Sequence, residues 1–281
     1  MNENRDANDY KTQVMNLIKK RSPHYLISLD LKLTLFASSL LSYRRETLSK
    51  PFPTFLIEND EKQYDLTNDC LQSIPKLCDI NESTKMPYLS WRLLHWILNH
   101  SSVELELTDC DETINNILGD SQSIRRFKPN YIFKVMSKPK EAFVRDKQLY
   151  GSFFAFHGSR LENFHSIIYN GLINCLNKRD LFGSGTYLSS KIDVAVEFSP
   201  FGLCFNRSLF GHKLSCVALC EVIKSPKIVD QSNSSLPNSY YVITNDDHIR
   251  VSYILVYSLR FVELYRNFIT KIDYKLGLSH Y

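Results

Sequence analysis

The segment from Phe153 to Phe198 constrains the fold and the chemistry of this chain more than any other stretch of the sequence. It opens with an apolar run, Phe153 to Phe156, which predicts a short strand that delivers the sequence His-Gly-Ser at positions 157–159. The next apolar residues have helical spacing, and Gly171 follows them where a helix C-terminus favours glycine. The residues that set this spacing are Phe164, Ile167 and Ile168.

The second half of the segment combines glycines with aromatic residues. Residues 182–187 read Phe-Gly-Ser-Gly-Thr-Tyr, and the Ser-x-x-Asp spacing at 190–193 predicts a capping box that starts a second short helix. We therefore expect His157, Tyr187 and Phe198 at the ends of secondary-structure elements. The neighbouring glycines would let the backbone approach a ligand closely, because they have no side chain.

These motifs, taken in order, resemble the catalytic core of the poly(ADP-ribose) polymerase-like ADP-ribosyltransferases. In that family a His-Gly-Ser segment and a Gly-x-Gly-x-Tyr segment form the nicotinamide end of an NAD pocket. A His-Gly pair alone would carry no weight, whereas the ordered set is a specific signal. The resemblance implies NAD as the ADP-ribose donor and a reaction that needs no metal.

The resemblance also implies roles for individual residues at the nicotinamide end. His157 would hydrogen-bond a ribose hydroxyl, and the Gly158 backbone would pair with the nicotinamide carboxamide. Tyr187 and Phe198 would stack on the two faces of the ring. Many family members carry a serine eight residues after this tyrosine that bonds the same amide. Ala195 stands there in this chain, which removes one hydrogen bond worth about 0.5–1.5 kcal/mol.

The remaining implied contacts lie on the adenosine side and on a later strand. Ser159 and Arg160 would face the adenosine half of NAD. Polymerase members begin the strand that matches residues 240–244 with a glutamate, and Tyr240 stands at that position here. A register shifted by one residue would use Tyr241 instead and point it to the other face.

The replacement of this glutamate predicts the length of the product. A phenol is neutral near pH 7, so Tyr240 lacks the carboxylate that would activate a second ribose hydroxyl. The resemblance therefore implies a catalytic set of His157, Tyr187 and Tyr240 that attaches single ADP-ribose units to proteins, the enzyme itself included.

Hydrophobic spacing divides the chain into a helical part and a later part rich in strands. Before residue 99 the apolar residues recur at helical spacing, and afterwards short apolar or alternating runs predict strands. This order favours an α+β fold with a helical regulatory domain at 1–98 and a catalytic domain at 99–281. The resemblance implies that the catalytic domain is an antiparallel β-rich transferase. It extends to the N-terminal part, which is similar to the helical domain of a small, tail-anchored subgroup. His24, next to Pro23, is predicted to lie in a loop.

Composition and charge exclude several classes of partner. The net charge of +4, from 34 basic and 30 acidic residues, predicts no nucleic-acid partner. No apolar run approaches the roughly 18 residues of a membrane span, and the residues after Tyr257 are too charged to form one. Seven cysteines without Cys-x-x-Cys pairs, and no signal peptide, favour the cytosol. Because the resembled subgroup is anchored in the endoplasmic reticulum, the cytosolic face of that organelle is the location that the resemblance implies.

Each site residue also has a plain structural interpretation. A single histidine at position 157 is more often structural than ligand-binding, and 16 Tyr and 17 Phe make Tyr187 and Phe198 ordinary core candidates. Tyr240 could equally be an ordinary strand aromatic. The alternative function is therefore a catalytically weak module that binds NAD or ADP-ribose and serves as an interaction protein.

Overall fold

The N-terminal third of the protein is helical, as its apolar spacing predicts. A computed structural model describes residues 3–19, 23–100, 102–118, 126–173, 184–230 and 239–259. Its first elements are α1 (Glu3–Lys19), α2 (Pro23–Leu41), α3 (Arg45–Leu48), the hairpin β1 (Ile57–Glu58) and β2 (Glu61–Lys62), α4 (Tyr64–Ser73) and α5 (Tyr88–Asn99). His24 lies in the first turn of α2, so its assignment to a loop is wrong. Proline is well suited to the first position of a helix, and here Pro23 opens α2 instead of preceding a loop.

The rest of the described chain is a sheet with short helices around it. Its elements are β3 (Glu104–Thr108), α6 (Cys110–Leu118), β4 (Tyr131–Met136), α7 (Glu141–Tyr150), β5 (Ser152–Gly158), α8 (Phe164–Asn170), β6 (Thr186–Ser189), α9 (Ile192–Glu197), β7 (Gly202–Leu203), β8 (Lys213–Ile223), β9 (Tyr240–Ile243) and β10 (Ile249–Ser258). The strands are antiparallel in the order β3-β4-β10-β8-β5-β6-β9, and β7 pairs with β8. The expected α+β class is confirmed.

Strand β8 is the centre of this sheet. It lies between β10 and β5, and every residue after Lys213 is buried, which explains its nearly continuous apolar sequence. Cys216 and Cys220 lie in the apolar core on one face of the sheet. Burial raises the pKa of both thiols far above the ordinary value of 9.0, so they pack as small apolar residues.

Helix α2 joins the helical part to the sheet. Leu31 and Leu35 belong to the core of the sheet, whereas Leu33 and Phe36 belong to the core of the helical part. The same helix contacts α8 and the helical turn Leu161–Asn163, which follows directly after the His-Gly-Ser segment. The two parts therefore share apolar packing immediately behind the predicted site.

A polar contact reinforces this connection. The buried Asp30 carboxylate on α2 accepts hydrogen bonds from the Ser208 hydroxyl at 2.7 Å and the Leu209 amide at 2.9 Å. Arg207, in the same segment, donates to the carbonyls of Gln72 and Ile74 at the end of α4. The segment between β7 and β8 is thus fixed to the helical part by buried and charge-assisted hydrogen bonds.

Burial of Asp30 makes the stability of the protein depend on pH. Burial raises the pKa of Asp30 from its ordinary 3.8 to about 6, against the opposing effect of its hydrogen bonds. The folded state therefore binds this proton more tightly than the unfolded state, so the stabilisation is complete below pH 3.8 and is lost as the pH rises through 6. The difference corresponds to about 3 kcal/mol in the free energy of unfolding.

We expect Asp30→Asn to remove this component. Urea titrations between pH 4.5 and 7 should show a smaller fall in unfolding free energy for the variant than for the wild type. Asp65→Asn, at an exposed partner of Arg45, is the control and should keep the wild-type dependence. An unchanged pH dependence in Asp30→Asn would show that this carboxyl does not titrate as its burial requires.

Among the helices in the described ranges, none has the length and apolar character needed to cross a membrane. The charged sequence that follows Tyr257 lies mostly beyond residue 259, outside the described residues.

Candidate active site

The sheet opens at the end of β5, where the His-Gly-Ser segment begins. Strand β5 pairs with β8 along its whole length but with β6 through the single register pair Phe156 and Ser189. Beyond this pair, Nδ1 of His157 lies 2.9 Å from the carbonyl oxygen of Tyr187 on β6. The imidazole therefore bridges the two strands at the position where their backbone ladder stops.

This hydrogen bond fixes the protonation pattern of His157. A carbonyl oxygen can only accept, so Nδ1 carries a proton and donates it to the Tyr187 carbonyl. Burial lowers the pKa of His157 below its ordinary 6.5, and the bond to the carbonyl opposes this shift only in part. The ring is then neutral near pH 7, and its Nε2 is a hydrogen-bond acceptor.

The register of β6 and β9 decides which tyrosine lies on the face of Tyr187. Tyr187 is opposite Val242, and Ser189 is opposite Tyr240, so Tyr187 and Tyr240 are diagonal neighbours on one face. The Tyr241 ring points to the other face and packs on Phe153, with 4.9 Å between ring centroids. The structure thus brings Tyr240 to the face of Tyr187 and packs the partly buried Tyr241 against the core on the other face.

Gly158 is required by packing within the protein. A Cβ at this position would overlap the carbonyl oxygen of Ala195 and would lie 2.9 Å from the Cβ of Phe198. Both residues belong to the C-terminal turn of α9, which therefore fits directly against the end of β5. The sequence predicts that this glycine lets the backbone approach a ligand, and the structure shows that its missing side chain makes room for α9.

Helix α9 carries Phe198 to the edge of the opening. Phe198 is 49% exposed, although its neighbours Ala195 and Ser199 are buried. The capping box expected from residues 190–193 does not form, because the Ser189 hydroxyl accepts from the Lys191 amide and the Asp193 carboxylate accepts from the adjacent Val194 amide. Lys191 occupies the N-cap, so α9 begins at Ile192, one residue later than the Ser190 cap would place it.

Ser159 and Arg160 leave β5 in different directions. The Ser159 amide donates to the buried Ser199 hydroxyl at 3.1 Å, and its own hydroxyl accepts from Nδ2 of Asn163 at 2.7 Å. Arg160 has a side chain 64% exposed that donates to Glu162 at 2.8 Å. Ser159 is held in place by its neighbours, whereas Arg160 lies at the surface beside it. Nothing in the sequence pattern pointed to Ser199.

Of the Phe-Gly-Ser-Gly-Thr-Tyr segment at 182–187, the structure describes residues 184–187. Phe182 and Gly183 lie outside the described residues, while Gly185 packs against β9 so closely that a Cβ would overlap the Val242 side chain. Within the described part of the chain, no group of three or more metal-ligating side chains is arranged to hold a metal ion.

Comparisons with known proteins identify the family to which this chain is similar. A family model described as the poly(ADP-ribose) polymerase catalytic domain matches residues 112–235, and one described as the ARTD15 N-terminal domain matches residues 23–98. The protein mono-ADP-ribosyltransferase PARP16 of Mus musculus is 35% identical over 261 residues, which cover 83% of this chain and 80% of that protein. The Homo sapiens protein of the same name is equally similar. PARP8 of Mus musculus is 28% identical over 81% of this chain and 31% of its own length.

The identity over most of both chains agrees with the order of the motifs and with the helical and sheet parts of the fold. The chain therefore belongs to the poly(ADP-ribose) polymerase-like family of ADP-ribosyltransferases, which use NAD as their substrate.

Proposed function

We propose that this protein transfers single ADP-ribose units from NAD to protein side chains, its own included, and releases nicotinamide. One observation carries the proposal. The His157 imidazole lies at the opening of the sheet and donates from Nδ1 to the Tyr187 carbonyl, and the neutral ring leaves Nε2 as an acceptor. Tyr240 lies on the face of Tyr187, one strand away. These two observations support a polar site where β5 and β6 separate, with His157 on one strand and the two tyrosines on the next two.

Each residue at this opening would bind a different part of NAD. The neutral Nε2 of His157 accepts a hydrogen bond from a ribose hydroxyl, which a protonated ring could not do. The half-exposed Phe198 ring and Tyr187 stack on nicotinamide, and the Gly158 backbone pairs with its carboxamide. Ser159 and Arg160 serve the adenosine half.

Transfer breaks the bond between the ribose anomeric carbon and the nicotinamide nitrogen. The bonding electron pair leaves with nicotinamide, and the ribose passes through a state that resembles an oxocarbenium ion, as in glycoside hydrolysis. An acceptor side chain then bonds the anomeric carbon. Holding the ring, the ribose and the acceptor in line supplies much of the rate, because the reacting groups need no further search.

The product is a single unit because Tyr240 replaces a carboxylate. Elongation requires the weakly nucleophilic hydroxyl of an attached ribose, which a nearby base must activate. A neutral phenol is a poor base, whereas an acceptor carboxylate is already ionised and needs no activation.

We propose further that residues 1–98 form a helical regulatory domain and residues 99–281 the catalytic domain. The two family models match residues 23–98 and 112–235, on either side of this boundary, which supports it. Limited proteolysis should cut first between residue 98 and the start of β3 at Glu104, and a first cut within either domain would count against the boundary.

The cytosolic face of the endoplasmic reticulum is the location that we propose, on the resemblance to the tail-anchored subgroup. Protease treatment of intact microsomes should digest the protein. Protection until detergent is added would place it in the lumen and overturn the proposal.

A thermal-shift experiment tests the proposed ligand site. NAD and benzamide, a nicotinamide mimic, should raise the melting temperature, since a ligand that binds only the folded state stabilises it. The combined variant His157→Ala with Tyr187→Ala should lose most of this shift. His95→Ala, in the helical part, is the matched control and should keep it. An unchanged shift in the combined variant would place the ligand elsewhere.

A further inference from the structure

The hydroxyl of Ser199 lies between the two halves of the proposed NAD site. Ser199 follows Phe198 at the end of α9, and its residue is only 3% exposed. Its Oγ accepts from the Ser159 amide at 3.1 Å and donates to the Ala195 carbonyl at 3.1 Å. One buried hydroxyl therefore connects the His-Gly-Ser segment to the helix that carries the Phe198 ring.

The Ala195 carbonyl is the point at which this connection affects the site. The same oxygen accepts from the Phe198 amide at 3.2 Å and lies so close to Gly158 that no Cβ could fit there. Ser199 thus fixes the oxygen that sets the distance between α9 and β5. Without the hydroxyl, this carbonyl would lose one of its two donors, and the Ser159 amide would lose its acceptor.

A third contact anchors Ser199 itself to the sheet. The Ser215 hydroxyl, on the central strand β8, donates to the Ser199 carbonyl at 2.5 Å. Ser215 is also buried. The chain of contacts therefore runs from the most buried strand, through Ser199, to both Ser159 and Ala195. A fully satisfied buried network of this kind holds its members in one arrangement.

We propose that Ser199 is a positioning residue for NAD binding, which holds the Phe198 wall and the Ser159 segment at the spacing that NAD requires. The inference rests on the proposed function, because it assigns Phe198 and Ser159 to the nicotinamide and adenosine halves. Ser199 itself touches neither half in this account. Its loss therefore weakens binding of the whole dinucleotide more than it slows the chemical step.

Steady-state kinetics with Ser199→Ala test this role. The KM for NAD and the Kd for benzamide should each rise about tenfold, since two buried hydrogen bonds are lost, while kcat should change by less than about threefold. Ser258→Ala is the matched control. Its hydroxyl is equally buried and donates to the Phe210 carbonyl at 2.6 Å, so it should cost comparable stability and leave the KM unchanged.

Two further variants keep the test decisive. Ser199→Thr retains the hydroxyl and should keep a KM within about threefold of the wild type, whereas a tenfold rise in this variant, if folded, would contradict the role of the hydroxyl. Ser215→Ala leaves Ser199 in place but removes its anchor, and should raise the KM in the same direction by a smaller factor. If Ser199→Ala does not fold, Ser215→Ala becomes the deciding variant. An unchanged KM in Ser215→Ala would then overturn the proposal.

A double-mutant cycle separates this inference from the proposed function. Phe198→Ala alone should weaken benzamide binding, and adding Ser199→Ala should then have little further effect, because Ser199 acts on benzamide through this ring. Unchanged benzamide binding in Phe198→Ala would overturn the assignment of the nicotinamide wall. Weakened binding in Phe198→Ala together with an unchanged KM in Ser199→Ala would overturn the role of Ser199 alone.

Discussion

Replacement of His157 by alanine should lower the rate of ADP-ribose transfer from NAD by about a hundredfold and leave the protein folded. The expected loss is large because the imidazole both bridges β5 to the Tyr187 carbonyl and offers Nε2 to the ribose. A ribose held even slightly out of line reacts far more slowly. The measurement is kcat/KM for transfer of labelled ADP-ribose, with circular dichroism to verify the fold.

Two substitutions separate the two functions of this ring. His157→Asn keeps an amide group at about the place of Nδ1 and can still donate to the Tyr187 carbonyl, but it presents no group at the place of Nε2. His157→Gln places its amide group at about the position of Nε2 and presents no group at the position of Nδ1. We expect Asn to retain the stability of the wild type without its activity, and Gln to recover part of the activity. Full activity in His157→Asn would show that Nε2 is not used.

Substitution of Gly158 by alanine should disrupt the site severely. The new Cβ would overlap the Ala195 carbonyl, which is backbone and can move only if α9 moves. Forcing a methyl group into such a packed position costs about 1–3 kcal/mol. The displaced helix would also take Phe198 away from the opening, so NAD affinity should fall at least tenfold.

Gly171→Ala is the matched control for this prediction. Gly171 ends α8 with a φ of 77°, and nothing lies within 4 Å of the Cβ that would be added. The substitution should cost a similar amount of stability through backbone strain, about 1–3 kcal/mol, without moving α9. Chemical denaturation gives the stability, and titration calorimetry with NAD gives the affinity. Wild-type NAD affinity in a folded Gly158→Ala protein would contradict the packing argument.

Much of this architecture follows from local sequence patterns. The buried strand β8, the amphipathic helices and the strand that ends in His157 each leave a pattern in apolar spacing, because one element buries one face or both. Helix α7 leaves no such pattern, so the sequence does not predict it. Its buried residue is Phe143, while Val144 and Leu149 are exposed, so its apolar residues do not mark one face.

The features that the sequence did not predict depend on contacts between distant segments. Nothing local shows that Leu31 and Leu35 would pack in the core of the sheet, or that Gly158 would face the Ala195 carbonyl. The choice between Tyr240 and Tyr241 is of the same kind. Both are aromatic residues on one strand, and their faces are assigned by the register of β9 with β6 and by the contact of Tyr241 with Phe153.

The site around His157 is expected to attach single ADP-ribose units. The most direct test is mass spectrometry of the intact protein and of its proteolytic peptides after incubation with NAD, in parallel with His157→Ala. We expect every modified side chain of the wild type to carry one ADP-ribose and the variant to carry almost none. Peptides with two or more linked ADP-ribose units on one side chain, or equal modification of His157→Ala, would contradict this expectation.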